Sequence, residues 1–243
     1  MLRACLAVAI VIGVAGCGSS TSDSSRTSTA AGSATSTAAA AGSATSTAAS
    51  ASPAGCRAVP VPAPKGPQHL SSPKVKLDPS RTYTVTVVTN CGTFAFNLDV
   101  KRSPKTSASI DYLVKRGFYN GLTFHRVAEG FVIQGGDPLG DGSGGPGYAV
   151  VEPPPANTQY VRGDVAMAKT QSDPPGASGS QFFVVTGADV TRSAGLTPDY
   201  ALAGKVVSGI GVVERIGALP TNPPGDGMPT PSVVMSSVTV ASH

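Results

Sequence analysis

The stretch FHRVAEGFVIQGGD, residues 124–137, says more about the fold than any other part of the chain. It consists of two short strand-like runs, and Glu129-Gly130 lies between them. Short runs rich in branched and aromatic residues, bounded by turn residues, predict β-strands. The stretch therefore predicts two neighbouring strands joined by a tight turn, and these strands carry Arg126, Phe131 and Gln134.

Similar patterns continue outward along the chain. Residues 82–88 alternate polar and apolar side chains and, with residues 93–98, predict a β-hairpin. Ser103-Pro104 predicts a helix start with Ser as N-cap, and Gly117 predicts its end after Arg116. A short helix is also predicted at residues 210–216. Further strands are predicted at residues 123–127, 131–134, 165–169, 182–186, 202–207 and 232–240. Many short strands and few helices favour a β-barrel or sandwich.

Composition excludes several classes of protein. The chain has 243 residues, of which 29 are Gly and 21 are Pro, and only 13% are charged. Such a composition disfavours helical bundles and coiled coils. No apolar run reaches the roughly 20 residues of a spanning helix, so a polytopic membrane protein is excluded. The net charge of +4 comes without a Lys/Arg cluster, so no nucleic-acid partner is expected.

Three later blocks extend the pattern of residues 124–137: VAMA at 165–168, GSQFFV at 179–184 and LTPDYALAGKV at 196–206. In this order and spacing, the blocks resemble the cyclophilin family of peptidyl-prolyl cis/trans isomerases over residues 82–240. The resemblance implies a mainly β fold, a closed eight-stranded antiparallel barrel capped by two α-helices. It also implies a substrate groove on the outer face of the barrel, Pro-containing polypeptides as substrates and no cofactor.

The resemblance also assigns roles to individual residues. It implies that Arg126, Phe131, Gln134 and Phe183 are catalytic, with Arg126 as the catalytic arginine and Gln134 holding the substrate backbone. The implied substrate-binding residues are Val132, Gly142, Ala168, Leu196 and Tyr200. Three positions depart from common members: Val132 replaces Met, Tyr200 replaces His, and Gly195 replaces the Trp of cyclosporin-sensitive members. Because this Trp is missing and the chain has no Trp at all, we expect weak cyclosporin binding.

The chemistry of the reaction explains these residue types. Rotation about an X–Pro bond has a barrier of about 18–20 kcal/mol, because the amide has partial double-bond character. Cis and trans are nearly balanced, so only the barrier must be lowered. The twisted transition state leaves a prolyl nitrogen that accepts a hydrogen bond, and a guanidinium such as that of Arg126 can donate it at any relevant pH. No nucleophile or metal is required.

Some residues of the chain also match motifs of other protein classes. Residues 142–147 match G-x-G-x-x-G, but Asp137-Pro138 precedes them and Pro146 interrupts them, which argues against a dinucleotide site. Ser180, His125 and an Asp could form a hydrolase triad, but no G-x-S-x-G elbow surrounds Ser180, so a hydrolase is a remote alternative. The three histidines are scattered without metal-ligand spacing. A non-catalytic module that binds proline peptides in the same groove stays open as the alternative.

The N-terminal third predicts an exported protein. Residues 1–16 have a short apolar run ending in Val14-Ala15-Gly16, before Cys17. This pattern resembles a bacterial lipobox, so we expect a signal peptide and lipidation of Cys17; an ordinary secretory signal is the alternative. Residues 17–55 are predicted as a disordered Ser/Thr/Ala/Gly tether, 56–80 as a Pro-rich extended spacer and 81–243 as the folded domain. The expected location is the extracytoplasmic face of the cell membrane, with a monomeric protein anchored by lipid.

Two cysteines remain in the mature protein besides Cys17. Export makes a disulfide between Cys56 and Cys91 chemically possible. The other interpretation is two separate, inert cysteines. A bridge would fix the end of the Pro-rich segment to the domain.

Overall fold

The computed structural model describes residues 55–243, which contain thirteen strands and three helices. The mainly β fold with few helices is confirmed. The predictions on the signal peptide, on Cys17 and on nearly all of the tether lie outside the described residues.

The strands are β1 Tyr83–Thr89, β2 Gly92–Leu98, β3 Thr123–Phe124, β4 Arg126–Ala128, β5 Val132–Gly135, β6 Val150–Val151, β7 Asp164–Met167, β8 Ala177–Ser178, β9 Phe182–Val185, β10 Leu202–Ser208, β11 Thr221–Asn222, β12 Asp226–Pro229 and β13 Val233–Ser242. The helices are α1 Pro104–Lys115, α2 Val190–Ser193 and α3 Ile210–Gly217.

Eleven of the strands form one curled antiparallel sheet, in the order β11-β12-β4-β5-β9-β7-β10-β2-β1-β13-β3, and β6 pairs with β8 separately. The resemblance implied eight strands in a closed barrel and two helices. Among the described residues the strand order instead has two ends, β11 and β3, and a short third helix is present. The sheet nevertheless curls far enough for β3 to contact β5. Gly135 makes this approach possible, because a Cβ there would lie 2.7 Å from the Thr123 carbonyl oxygen.

The two faces of the sheet have different roles. Successive side chains of a strand point to opposite faces. Val127, Ile133 and Val184 on β4, β5 and β9 are fully buried in the main core. Their neighbours along the chain, such as Gln134 and Phe183, face the outer side of the same strands. Sheet pleating thus places the main core on one side of these strands and the residues of the groove on the other side.

Helix α1 begins where the sequence predicts, but its cap differs. Ser103 occupies the N-cap position and Pro104 the first helical position, yet the Ser103 side chain makes no capping hydrogen bond. The Glu152 carboxylate accepts instead from the backbone N–H groups of Lys105 (3.1 Å) and Thr106 (2.9 Å). An acceptor 46 residues away in the chain therefore replaces the local cap, and its negative charge suits the positive end of the helix dipole.

The Pro-rich segment of residues 56–80 lies against the domain. Backbone hydrogen bonds run from Arg57 to Asn90 (2.9 Å), from Lys65 to Pro138 (2.9 Å) and from Leu70 to Pro146 (2.8 Å). Cys56 and Cys91 form a disulfide bond. The segment has no helix or strand of its own, but its contacts make it a surface strap of the domain. Within residues 55–243 no helix combines the length and the apolar character needed to cross a bilayer.

Candidate active site

A single row of side chains crosses the outer face of the sheet. The strand register places Arg126 opposite Gln134, Gln134 opposite Phe183, and Phe183 opposite Ala166. Cβ atoms of directly opposite residues lie about 4.5–5.5 Å apart. The row therefore changes over three strands from a cation, through an amide, to an aromatic ring.

This row lines a pocket of about 210 Å³. Val132 precedes Gln134 on the same face of β5, and the other lining residues lie at strand ends or in the loops beside them. Eight of the nine residues assigned from the sequence meet here. The lining residues are Arg126, Phe131, Val132, Gln134, Ala168, Lys169, Phe183, Leu196 and Tyr200.

Gly142, the ninth assigned residue, lies in an adjoining pocket of about 410 Å³. The two pockets share Gln134, Ala168 and Lys169. The buried Asp137 carboxylate holds the loop on which Gly142 lies, accepting from the backbone N–H groups of Leu139 (2.8 Å) and Gly142 (2.5 Å). The pockets together form a continuous groove.

The floor of the first pocket is an apolar cluster separate from the main core. Val132 and Phe183 belong to it, with Leu196 and Tyr200 packed against it. The rings of Phe183 and Tyr200 meet edge to face with centroids 5.5 Å apart, a favourable geometry for aromatic pairs. The floor of this pocket is therefore an apolar surface of packed side chains.

Tyr160 supports this floor from below and was not identified from the sequence, where no pattern marks it. Its hydroxyl donates to the Tyr200 carbonyl (2.6 Å) and accepts from the Tyr200 backbone N–H (3.1 Å). Burial raises the pKa of Tyr160 to about 12, so the hydroxyl stays protonated at neutral pH and keeps donating. Both hydrogen bonds fix the backbone of Tyr200 at the edge of the groove.

A network of polar side chains follows the open side of the groove. Arg126 Nη1 donates to Gln134 Oε1 (3.2 Å), and Gln134 Nε2 donates to Gln181 Oε1 (3.1 Å). Gln181 Nε2 in turn lies 2.8 Å from the carbonyl oxygens of Gly142 and Gly144. The network therefore joins the cation at one end of the groove to the glycine loop at the other.

A carboxylate that the sequence analysis did not identify binds Arg126 on the side of the guanidinium opposite to Gln134. Arg126 Nε and Nη2 donate to the two oxygens of Asp226, each at 2.7 Å. Lys169 was also missed as a lining residue; its ammonium lies 5.5 Å from the centre of the Tyr200 ring. Neither residue belongs to a local motif that would have shown it.

The geometry of Ser180 and His125 does not support the hypothesis of a hydrolase. The Ser180 hydroxyl is fully buried and donates to the Gly136 carbonyl (2.8 Å). His125 is buried as well, and neither ring nitrogen has a hydrogen-bond partner. Its ring lines a pocket under the strap, with Pro62 and Pro64, rather than the groove. Burial lowers the pKa of His125, against an opposing effect of the nearby Asp137 carboxylate.

Known proteins are similar to this chain in sequence and in architecture. The profile of the family described as "Cyclophilin type peptidyl-prolyl cis-trans isomerase/CLD" matches residues 84–240. The chain is 36% identical over 154 residues to a peptidyl-prolyl cis-trans isomerase of Helicobacter pylori, an alignment covering 58% of this chain and 90% of that protein. It is 35% identical over 181 residues to peptidyl-prolyl cis-trans isomerase A of Mycobacterium tuberculosis, covering 67% and 94% of the two chains.

Solved structures agree with the sequence comparison. A cyclophilin type peptidyl-prolyl cis-trans isomerase from Cryptosporidium parvum superimposes with a TM-score of 0.58 and 28% sequence identity, covering 67% of this chain and 99% of that one. A second structure of the same protein, determined in the presence of the dipeptide Ala-Pro, also has a TM-score of 0.58 and covers 66% of this chain and 99% of that one at 28% identity. The resemblance inferred from the motifs is thereby confirmed. The chain belongs to the cyclophilin-type peptidyl-prolyl cis-trans isomerases.

Proposed function

We propose that Arg126 catalyses X–Pro isomerisation by donating a hydrogen bond to the prolyl nitrogen of a bound polypeptide. The observation that carries this proposal is the position of its guanidinium, beside Gln134 on the rim of an apolar pocket. The solved structure of the Cryptosporidium parvum relative was determined with the dipeptide Ala-Pro. By analogy, Pro-containing segments are the substrates of this chain.

The proposed mechanism uses differential binding. In planar cis and trans amides the nitrogen lone pair is delocalised, so it is a poor acceptor. At the twisted transition state the lone pair becomes available, and a directed N–H donor stabilises that state alone. An arginine side chain is not deprotonated in proteins, so the donor is always present.

Gln134 and the apolar floor would hold the substrate in place. Gln134 Nε2 carries two N–H groups, of which Gln181 accepts one. The other is free to bind a substrate carbonyl next to the proline. Phe131, Val132 and Phe183 would hold the proline ring, so that the flanking peptide rotates against a fixed ring.

A comparison of arginine variants tests this mechanism. Exchange between the cis and trans forms of an Ala-Pro-Phe peptide is measured by NMR, which needs no added protease. Arg126→Ala is expected to lower kcat/KM by about 10²–10³-fold, the usual effect of removing one preorganised donor. Arg102→Ala is the matched control, because Arg102 is also an exposed, ion-paired arginine but lies outside the groove.

Two results would count against the mechanism. An Arg126→Ala variant with undiminished activity would exclude Arg126 as the donor. A folded wild-type protein that binds the peptide without accelerating its exchange would favour the proline-binding module instead.

We further propose that the enzyme acts on exported proteins at the extracytoplasmic face of the cell membrane, held there by lipid on Cys17. The lipobox-like residues before Cys17 support this location. The Cys56–Cys91 disulfide supports it independently, because disulfides persist in oxidising compartments. Cys17→Ala should move the protein from the membrane to the soluble fraction. Continued membrane association of that variant would contradict the anchor.

A further inference from the structure

Asp226 forms a bidentate ion pair with the guanidinium of Arg126, the proposed catalytic arginine. Its two oxygens accept from Nε and Nη2 at 2.7 Å each, while Gln134 accepts from Nη1 on the other side. A guanidinium has five N–H groups, so this arrangement leaves two of them free. The carboxylate is half exposed, at 53%, and the arginine side chain is 36% exposed, so both remain next to solvent and substrate.

The sheet register explains how Asp226 reaches Arg126. Asp226 on β12 lies directly opposite Ala128 on β4. Ala128 and Arg126 are two residues apart on one strand and therefore share a face. Asp226 is thus the diagonal neighbour of Arg126, a separation that long side chains bridge.

The hairpin carrying Asp226 is closely fitted to its surroundings. The Glu129 backbone N–H donates to the Gly225 carbonyl at 2.9 Å, immediately before Asp226. On the other side, a Cβ at Gly227 would lie 2.5 Å from the Asn222 carbonyl, so the two hairpin strands approach closely. The backbone of position 226 is therefore held from both directions.

We propose that Asp226 is a positioning residue for catalysis, which fixes the orientation of the Arg126 guanidinium; this inference rests on the proposed role of Arg126. A long arginine side chain near the surface loses rotational freedom when it is held, and exposed ion pairs as such add little stability. The benefit lies in the geometry of the donor. Asp226 and Gln134 fix the plane of the guanidinium from two sides, and the free N–H groups then point in constant directions.

Pairing with a carboxylate does not remove what the reaction needs. The prolyl nitrogen of the twisted amide is a neutral acceptor, so its stabilisation depends on a well-directed N–H more than on net positive charge. Small misplacements of a catalytic group cost large factors in rate. An oriented, partly neutralised guanidinium is therefore more effective here than a mobile, fully charged one.

The test measures kcat and KM for the full-length protein by peptide exchange at several peptide concentrations. Asp226→Asn keeps the shape but removes the charge and one acceptor oxygen. We expect kcat/KM to fall about threefold to tenfold, a typical coupling between directly contacting residues, with the change in kcat rather than KM. Asp226→Glu should restore at least half of the loss. Glu129→Gln is the matched control, because Glu129 is an exposed acid on the adjoining turn and the ion-pair partner of Arg126 is Asp226, not Glu129.

Two readouts separate positioning from a merely structural effect. In an Arg126→Lys background, Asp226→Asn should have no further effect on activity, because Lys cannot be held along a two-donor edge. In ¹H–¹⁵N spectra, the Nε–H signal of Arg126, assigned by its loss in Arg126→Lys, should shift on Asp226→Asn but not on Glu129→Gln.

The outcomes distinguish this inference from the proposed function. Unchanged or increased activity of Asp226→Asn, an effect on KM alone, or an equal loss in the Arg126→Lys background would overturn the positioning role. A strong loss in Arg126→Lys together with a neutral Asp226→Asn would leave the role of Arg126 intact. Full activity of Arg126→Lys and Arg126→Ala would instead refute the proposed function itself.

Discussion

Removing the Cys56–Cys91 disulfide should destabilise the domain substantially without affecting the groove. The bond joins residues 35 positions apart. For a loop of this length, the chain-entropy relation gives about 4 kcal/mol of stabilisation through restriction of the unfolded chain. Asn90 Nδ2 also donates to the Arg57 carbonyl (2.6 Å), so part of the strap stays attached without the bond. We therefore expect a loss of about 2–4 kcal/mol in the free energy of unfolding.

The assay compares wild type with the double variant Cys56→Ala/Cys91→Ala by urea and thermal unfolding. Ala is preferable to Ser, because both cysteines are buried and a hydroxyl there would lack a partner. For a domain of this size, a loss of about 2 kcal/mol corresponds to at least about 4 °C in Tm. Peptide exchange should proceed at the wild-type rate, because neither cysteine lines the groove.

Wild type in reductant is the internal control and should unfold like the double variant. A double variant within about 1 °C of oxidised wild type would refute the entropic reasoning, since about 4 °C is the smallest shift it allows. Free thiols at both Cys56 and Cys91 in the denatured, unreduced protein would refute the bond itself. Loss of isomerase activity in a folded double variant would show that the strap influences the groove.

Three further predictions concern the groove and its surroundings. Phe183→Ala should lower the free energy of unfolding by about 3–5 kcal/mol in urea titrations and raise KM, because the ring is buried and forms the pocket floor. Phe183→Leu keeps most of the side-chain volume and should lower the free energy of unfolding far less. Equal losses in the two variants would contradict the packing argument. Tyr160→Phe should lower the free energy of unfolding by about 1–3 kcal/mol and weaken peptide binding, since the Tyr200 backbone loses both of its hydrogen bonds to the hydroxyl. Unchanged peptide binding would show that Tyr200 is held by other contacts. His125 has its pKa lowered by burial, so the unfolded chain takes up a proton more readily and stability should fall as pH drops below about 6.5. His125→Phe should flatten the dependence of Tm on pH between 7.5 and 5.5, and an unchanged slope would exclude His125 as its source.

Local sequence patterns predicted the regular elements well because their causes are local. The hairpin predicted at residues 82–88 and 93–98 forms at Tyr83–Thr89 and Gly92–Leu98. Helix α1 ends one residue before the predicted Arg116, and Gly117 follows with a φ of +64° that favours glycine. Alternation, proline and glycine act within a few residues of themselves, so the sequence shows their effects directly.

Elements with weak local signals were missed. The two-residue strands β6, β8 and β11 carry too few side chains to show alternation, and α2 is a single turn. The docking of the strap was also not predicted. A Pro-rich segment is extended with or without a surface to lie on, so its composition does not reveal its contacts.

The sequence by itself determined the family, the mainly β class and eight of the residues that line the first pocket. These residues lie in contiguous blocks, whose order along the chain was sufficient to assign them. Only the tertiary structure decided which distant polar groups complete them. Glu152 caps a helix 46 residues away, and Asp226 holds an arginine 100 residues away. Such pairs depend on strand register and on the curl of the sheet, which join segments with no shared periodicity. An acidic residue looks the same in sequence whether or not its carboxylate meets a partner.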